Sequence, residues 1–368
     1  MNKKRSVLQI SLFAVVAGIL LGFVVVAITG RSPYNMFVAL LRSMTGFNLA
    51  KPSQGINVTY ILNWFLNTMP LILTGLSVGF AYRTGLFNIG GEGQYIVGAL
   101  AASVVALTVK LPAIPHVILC VVAAMIAGAL WAVIPGILKA YKNISEVVIC
   151  IMLNYTAMYF SNWVVRTFLE IDTKTNARTI AFPETATFGK VFANNPSNFN
   201  WGFLVIVVCV LLYWFIIEKT TFGFSLRATG FNKESARFAG MKVERNIVAS
   251  MAISGAFAGA AGAVVILGIF KYGRIFQAMD NYGFDGISVA LVGMASAPGI
   301  VLAGFLFGLL KAANTNLQLF NIPMEISELM QATIIFLVAI QYGIVLLLDK
   351  LDKKKKKGLE VAEGGAAK

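Results

Sequence analysis

The chain has 368 residues, of which 58% are hydrophobic and only 12% charged, about half the charged share of a soluble globular domain. That excludes a soluble fold and points to a helical protein that crosses a membrane several times. A formal net charge of +14 would suit nucleic acid, but five lysines form one run at 353–357 and others flank apolar stretches. This is the positive-inside pattern, with attraction to anionic lipid as a secondary effect, so no nucleic-acid partner is expected.

The first apolar run, residues 7–28, follows the basic start Lys3, Lys4 and Arg5. A secretory signal has a similar start but an apolar core of only about 7–15 residues, so this run is expected to remain as a first span. Further spans are expected at about 61–81, 88–108, 114–138, 146–166, 201–218, 247–270 and 329–348, each near the roughly 20 residues that cross a bilayer. Between 284 and 312 lie two apolar pieces split by Ala-Ser-Ala-Pro-Gly at 295–299. Each is about 13 residues, or about 20 Å as helix, against an apolar core of about 30 Å. A broken or re-entrant pair is expected, since such breaks are tolerated where protein or a cavity covers them. The fold class is therefore all-α, a polytopic membrane protein of about eight full spans plus that pair. Residues 1–350 read as one transmembrane domain, and 351–368 as a basic tail expected to be disordered.

With the N-terminus inside, residues 82–85, 139–142, 219–246 and the lysine tail fall on the cytoplasmic side, and 29–60 and 167–200 outside. The outer segments carry Arg31, Arg42, Lys51, Lys174, Arg178 and Lys190. The basic density of 219–246 and 350–357 nonetheless sets the orientation and puts both termini in the cytoplasm. The 219–246 segment is too long for a turn and too small for a domain. Within it Asn232 can cap a helix starting at Lys233, Glu234 suits the first turn, and Gly240 offers a stop. Spacing alone leaves open whether this is a docking helix or an ordinary linker.

Residues 86–100 are a glycine-rich entry into an apolar segment with polar residues embedded, and 282–293 repeat that texture, again with a carboxylate near the start. Corresponding interrupted segments in two halves point to a transport site, so two internal half-repeats are expected. Polar residues inside spans tend to mark pathways. Asn88, Glu92 and Gln94 cluster where the third span begins. If Gly90, Gly91 and Gly93 leave the backbone partly unwound, these side chains can line a wet cavity; alternatively Glu92 pairs with a basic residue such as Arg83. Asn63 with Asn67, and Asn154 with Tyr155, can hydrogen-bond an uncharged solute or simply bond neighbouring helices. Asp285 has the same choice between pathway and loop ion pair. The small-residue stretch at 255–262 is a packing seam with no substrate role.

No phosphate-binding GxxxxGK[ST] sequence is present, nor a paired-carboxylate or Ser-His-Asp arrangement. An enzyme is not expected, and no catalytic residue is assigned. Cys120, Cys150 and Cys209 lie in apolar runs without metal-ligand spacing, and His116 is the only histidine, so no metal site is expected. The poverty of ionisable groups in the spans disfavours a proton-driven carrier and leaves the energy to a partner.

The sequence Gly-Leu-Phe-Asn-Ile-Gly-Gly-Glu-Gly-Gln at 85–94 resembles the permeases of ATP-binding-cassette importers in the branched-chain amino acid and simple-sugar group, and within it the bacterial nucleoside permeases. Residues 227–240 resemble the cytoplasmic coupling loop of that family, and 283–293 a recurring late motif. The resemblance covers about residues 60–350. It implies a multi-pass subunit of the bacterial cell membrane that carries nucleosides, with a simple sugar or branched-chain amino acid as the alternative cargo. A stand-alone carrier or channel is the alternative from another class. It further implies a second permease subunit, often non-identical, a cytoplasmic ATPase that binds the ATP and magnesium, and an extracytoplasmic binding lipoprotein. No cofactor is implied in this chain itself. Arg227, Phe231, Asn232, Lys233, Glu234, Ala236, Arg237 and Gly240 would be the residues received by the ATPase.

Overall fold

The computed structural model describes residues 7–49, 53, 55–192 and 194–340. The basic tail at 351–368, the final part of the expected last span and the basic N-terminal start lie outside the described residues.

The expected first span is helix α1 (Val7–Ile28), and a shorter helix α2 (Pro33–Thr45) follows it. Proline at the first turn of α2 and Gly46 in the left-handed region (φ 72°) mark its two ends. The central helix α3 (Val58–Arg83) is capped by Asn57, whose side chain accepts from the Thr59 N–H at 3.0 Å. Next come α4 (Gly91–Thr108), α5 (Ala113–Lys142) and α6 (Glu146–Phe168). A two-stranded antiparallel sheet pairs β1 (Arg178–Ala181) with the distant β2 (Tyr272–Arg274). Near it Asp172 takes the Lys174 N–H and the Arg178 guanidinium, which hold its carboxyl below the usual range.

Helix α7 (Phe203–Trp214) continues through a π turn to Lys219, then bends by 73° into α8 (Thr221–Phe231). After α8 comes the short α9 (Lys233–Phe238), and then α10 (Val243–Val264), which runs on through a second π turn to Phe270. Residues 219–246, expected as a loop carrying a short helix from Lys233, are thus helical almost throughout. Caps by Thr220 and Asn232 start α8 and α9, so polar residues that look like linker are helix punctuation.

The bundle ends with α11 (Tyr282–Val292), α12 (Ala297–Leu319) and α13 (Glu325–Ala339). The break expected near 295–299 falls at residues 293–296, where Met294 and Ala295 take positive φ. The second piece, however, is a full-length helix: α12 has 23 residues. Lys311, Asn314 and Asn316 interrupt its apolar run in the sequence, but each finds a partner. Lys311 pairs with Asp285 at 2.9 Å, Asn314 accepts from Ser327, and Asn316 donates to Ser43 on α2 at 2.7 Å. Of the two pieces α11, with 11 residues, is too short to cross, and a non-helical stretch from Ile275 to Asn281 leads into it.

Among the described residues five helices are long and apolar enough to span, or six if α7 and α8 count as one. The expected spans at 7–28, 88–108 and 329–348 correspond to α1, α4 and α13, which lie outside that set.

Packing is tightest where α10 crosses α5 and α4. A Cβ on Gly255 would collide with the Gly128 carbonyl, on Gly259 with the Ala124 carbonyl, and on Gly262 with the Tyr95 carbonyl. Where surrounding lipid is as apolar as the helix surface, such close backbone contact is what holds helices together, so 255–262 is the packing seam its spacing suggests. Around α3, the helices α10, α11 and α12 bury most of its length, including Leu71, Leu73, Leu76 and Phe80.

Candidate functional site

The two repeated motifs meet end to end. Between α3 and α4 the chain is non-helical from Thr84 to Gly90, whereas Gly91 and Gly93 already belong to α4; the unwound stretch is therefore shorter than the glycine spacing suggests. Asn88 accepts from the Gly90 N–H at 3.0 Å and forms a reciprocal amide pair with Gln94, at 2.8 and 3.0 Å. Asn88 also donates to Ser254 on α10 at 2.6 Å, and Ser254 donates to the Ser77 carbonyl on α3 at 2.7 Å. From α6, Asn154 accepts the Gly93 N–H at 2.8 Å and donates to the Ile89 carbonyl at 3.0 Å. All of these side chains are buried.

Glu92 leaves this network and reaches α11. Its two carboxylate oxygens accept the backbone N–H groups of Asn281 at 2.9 Å and Gly283 at 2.6 Å. A helix start presents unpaired N–H groups and a partial positive charge, and here the buried acid of the first motif satisfies those of the second. Gly283 is required for the approach, since a Cβ there would collide with the Glu92 N–H. The alternative pairing of Glu92 with Arg83 does not occur. Arg83 instead pairs with Glu218 at the end of α7, which also takes Arg227 at 2.7 Å.

Beside this junction a cleft of about 460 Å³ opens between α11, α12 and α13, within the roughly 300–1,000 Å³ of small-molecule sites. Its polar lining includes Asp280, Asp285, Lys311, Asn314, Glu328 and Gln331, with Phe284 and Ile335 as apolar neighbours. Asp285 is bonded to Lys311, whose ammonium lies 4.0 Å from the Tyr282 ring centroid. Asp280 takes Arg274 at 2.5 Å and the Tyr95 hydroxyl at 2.9 Å. The pathway candidates of the sequence thus separate. Asp285 lines the cleft, while Asn88, Glu92, Gln94 and Asn154 gather behind it. Asn63 lies far along α3, where it accepts from Ser197 at 2.7 Å, and Tyr155 faces outward from α6, 55% exposed. Lys311, Glu328 and Gln331 were missed; charges and amides within otherwise apolar stretches were the available signal.

The second polar feature is the elbow of α8 and α9. Asn232 caps α9 by accepting the Ser235 N–H at 3.0 Å, and Gly240 at φ 79° ends the turn. Ala236 is buried in a small apolar cluster with Val243, Ile247 and Met251. Arg237 bridges Glu234 at 3.1 Å and Glu244 at 2.5 Å, and the Glu244 bond holds its guanidinium above its ordinary value. Lys233 and Glu234 begin α9. Phe231 and Phe238 are 90% and 92% exposed, leaving two aromatic rings free on either side of a rigidly capped turn.

An α-helical bundle with a glycine seam, an interrupted helix and charged groups held at the break is the architecture of a multi-pass membrane protein. The model of the family described as the permease component of branched-chain amino acid transport systems matches residues 60–339, and the chain belongs to that family. It is 39% identical to the guanosine ABC transporter permease protein NupP of Bacillus subtilis, over 96% of this chain and 99% of that protein. It is 33% identical to the nucleoside ABC transporter permease protein NupB of Lactococcus lactis, over 97% of this chain and 99% of that one. Similarity to the glucose ABC transporter permease protein TsgB13 of Haloferax volcanii is 33% over 75% of each chain. The chain is a multi-pass bacterial membrane protein and an ABC transporter permease.

Proposed function

We propose that the chain is the membrane-spanning subunit of an ATP-binding-cassette importer that passes nucleosides by alternating access. The observation that carries this reading is similarity over nearly the whole chain to permeases named for guanosine and for nucleosides. The partial match to a glucose permease supports a simple sugar as the second reading. Ribose hydroxyls and sugar hydroxyls make the same demands on amide and carboxylate side chains, so the cleft fits both.

In this reading the cleft of Asp285, Lys311, Asn314 and Gln331 is one half of the pathway, completed by a second, non-identical permease. The α8–α9 elbow, with Arg227 through Gly240, docks a separate ATPase that binds ATP and magnesium. The basic residues of the elbow support a cytoplasmic position for it and for both termini. A binding lipoprotein delivers the solute on the other side. The support for ATPase docking is the pairing of a rigid, capped α9 with exposed Phe231 and Phe238, because exposed aromatic groups of this kind anchor protein interfaces.

Uptake competition in a deletion strain tests the cargo. Labelled guanosine uptake restored by the gene is expected to be blocked by unlabelled nucleosides and unaffected by ribose, glucose, free bases or leucine. Competition by a free sugar alone would transfer the assignment to the second reading. Uptake that persists without any ATPase subunit would remove the importer assignment altogether.

A further inference from the structure

The cleft carries more than a size and a set of hydrogen-bonding groups; it carries a sign. Of its carboxylates, Asp285 is matched by Lys311 and Asp280 by Arg274. Glu328, projecting from α13, has no cationic partner among the described residues. Just behind the cleft, Glu92 is bonded to backbone N–H groups at the start of α11 and supplies no basic partner to Glu328. The formal balance of the lining is therefore negative, with Asp280, Asp285 and Glu328 against Lys311 and Arg274. The surrounding helices are apolar, and low-dielectric walls strengthen and focus such a field within a cleft.

We propose that this cleft is a charge filter, admitting neutral and cationic solutes and turning away phosphorylated ones, with Glu328 as the residue that sets the sign. The inference rests on the cleft being part of the solute pathway. A nucleoside and its 5′-monophosphate share base and ribose, so hydrogen bonding to those groups does not separate them. The phosphate does, because its charge meets the unpaired carboxylate of Glu328. Lys311 does not supply a phosphate site: Asp285 occupies its ammonium at 2.9 Å, and the Tyr282 ring covers it at 4.0 Å.

The test uses the full importer in membranes, with Cys120, Cys150 and Cys209, all buried, replaced by alanine and uptake confirmed. A single thiol is introduced at the cleft wall by Ala332→Cys, and in a second version by Gln331→Cys. Each is labelled with a cationic trimethylammonium-ethyl and an anionic sulfonatoethyl methanethiosulfonate. Cationic labelling is expected to exceed anionic by about tenfold beyond the ratio for a free thiol, the lower end of what charged clefts achieve. Adding Glu328→Gln is expected to collapse most of that excess, whereas Glu325→Gln, on the same helix but outside the cleft, leaves it unchanged. A free-thiol ratio in both versions, or an excess insensitive to Glu328→Gln, overturns the charge filter. The pathway reading is scored separately: guanosine is expected to slow labelling at both positions. Labelling that guanosine does not slow would overturn that reading whatever the charge ratio.

Discussion

Two polar regions sit side by side in this apolar bundle, and they differ in whether their hydrogen bonds close within the protein. At the α4–α11 junction Asn88, Gln94, Ser254, Glu92 and Asn154 are buried, and each bonds a named protein group. In the neighbouring cleft Glu328 and Gln331 have no protein hydrogen bond among the described residues. An unpaired polar group facing hydrocarbon costs several kcal/mol, so the first region persists as structure and the second persists only where water or a solute reaches it. Polar content alone does not locate a pathway in such a protein; polar groups left over after internal bonding do.

The largest effect is expected from closing the junction. Gly283→Val has no room beside the Glu92 N–H, and loss of folded protein is expected on fluorescence-detected size exclusion of detergent extracts. Glu92→Ala deletes both acceptors from the start of α11, leaving two N–H groups unpaired at about 1–3 kcal/mol each. A melting temperature lower by several degrees is expected, with the KM of the residual uptake unchanged. Unchanged melting with a raised KM would place Glu92 among the solute-binding groups and dissolve the division between the regions.

An intermediate effect is expected at the elbow, which is polar and capped like the junction but exposed like the cleft. The double substitution Phe231→Ala and Phe238→Ala removes two exposed rings and no internal packing, so melting should not change. Each buried aromatic anchor of an interface is worth about 2 kcal/mol or more, so co-purification of the ATPase is expected to be lost together with uptake. Retained co-purification would leave the elbow a simple linker.

Much of this was legible in the sequence where local rules decide the outcome. The caps at Asn232 and Gly240, the small-residue seam at 255–262 and the break before α12 follow from residue types at fixed spacing. The partner of Glu92 was not legible. Arg83 is close in sequence and opposite in charge, while the N–H groups that satisfy Glu92 belong to residues 281 and 283 and carry no sequence signature. Lys311 was hidden for the same reason: it lies within the second apolar piece, and only the fold brings Asp285 within 2.9 Å to neutralise it. Long-range pairing decides which embedded polar residues are glue, and a linear reading of polarity is blind to it.

The smallest contrast is the sharpest test of that rule, because it concerns two adjacent residues of α6. Asn154 is buried and holds both Gly93 and Ile89, whereas Tyr155 points outward. Amide bonds between membrane helices average about 0.6 kcal/mol, so Asn154→Leu is expected to lower stability by about 1 kcal/mol. Tyr155→Leu is expected to stay within about 0.5 kcal/mol of the parent, as surface substitutions do, with uptake unaltered. Both are read from thermal melting of the purified subunit and guanosine uptake in membranes. If Tyr155→Leu leaves melting intact but cuts uptake, the outward face of α6 meets something other than lipid, and exposure in the single subunit would then mark an assembly contact at that position.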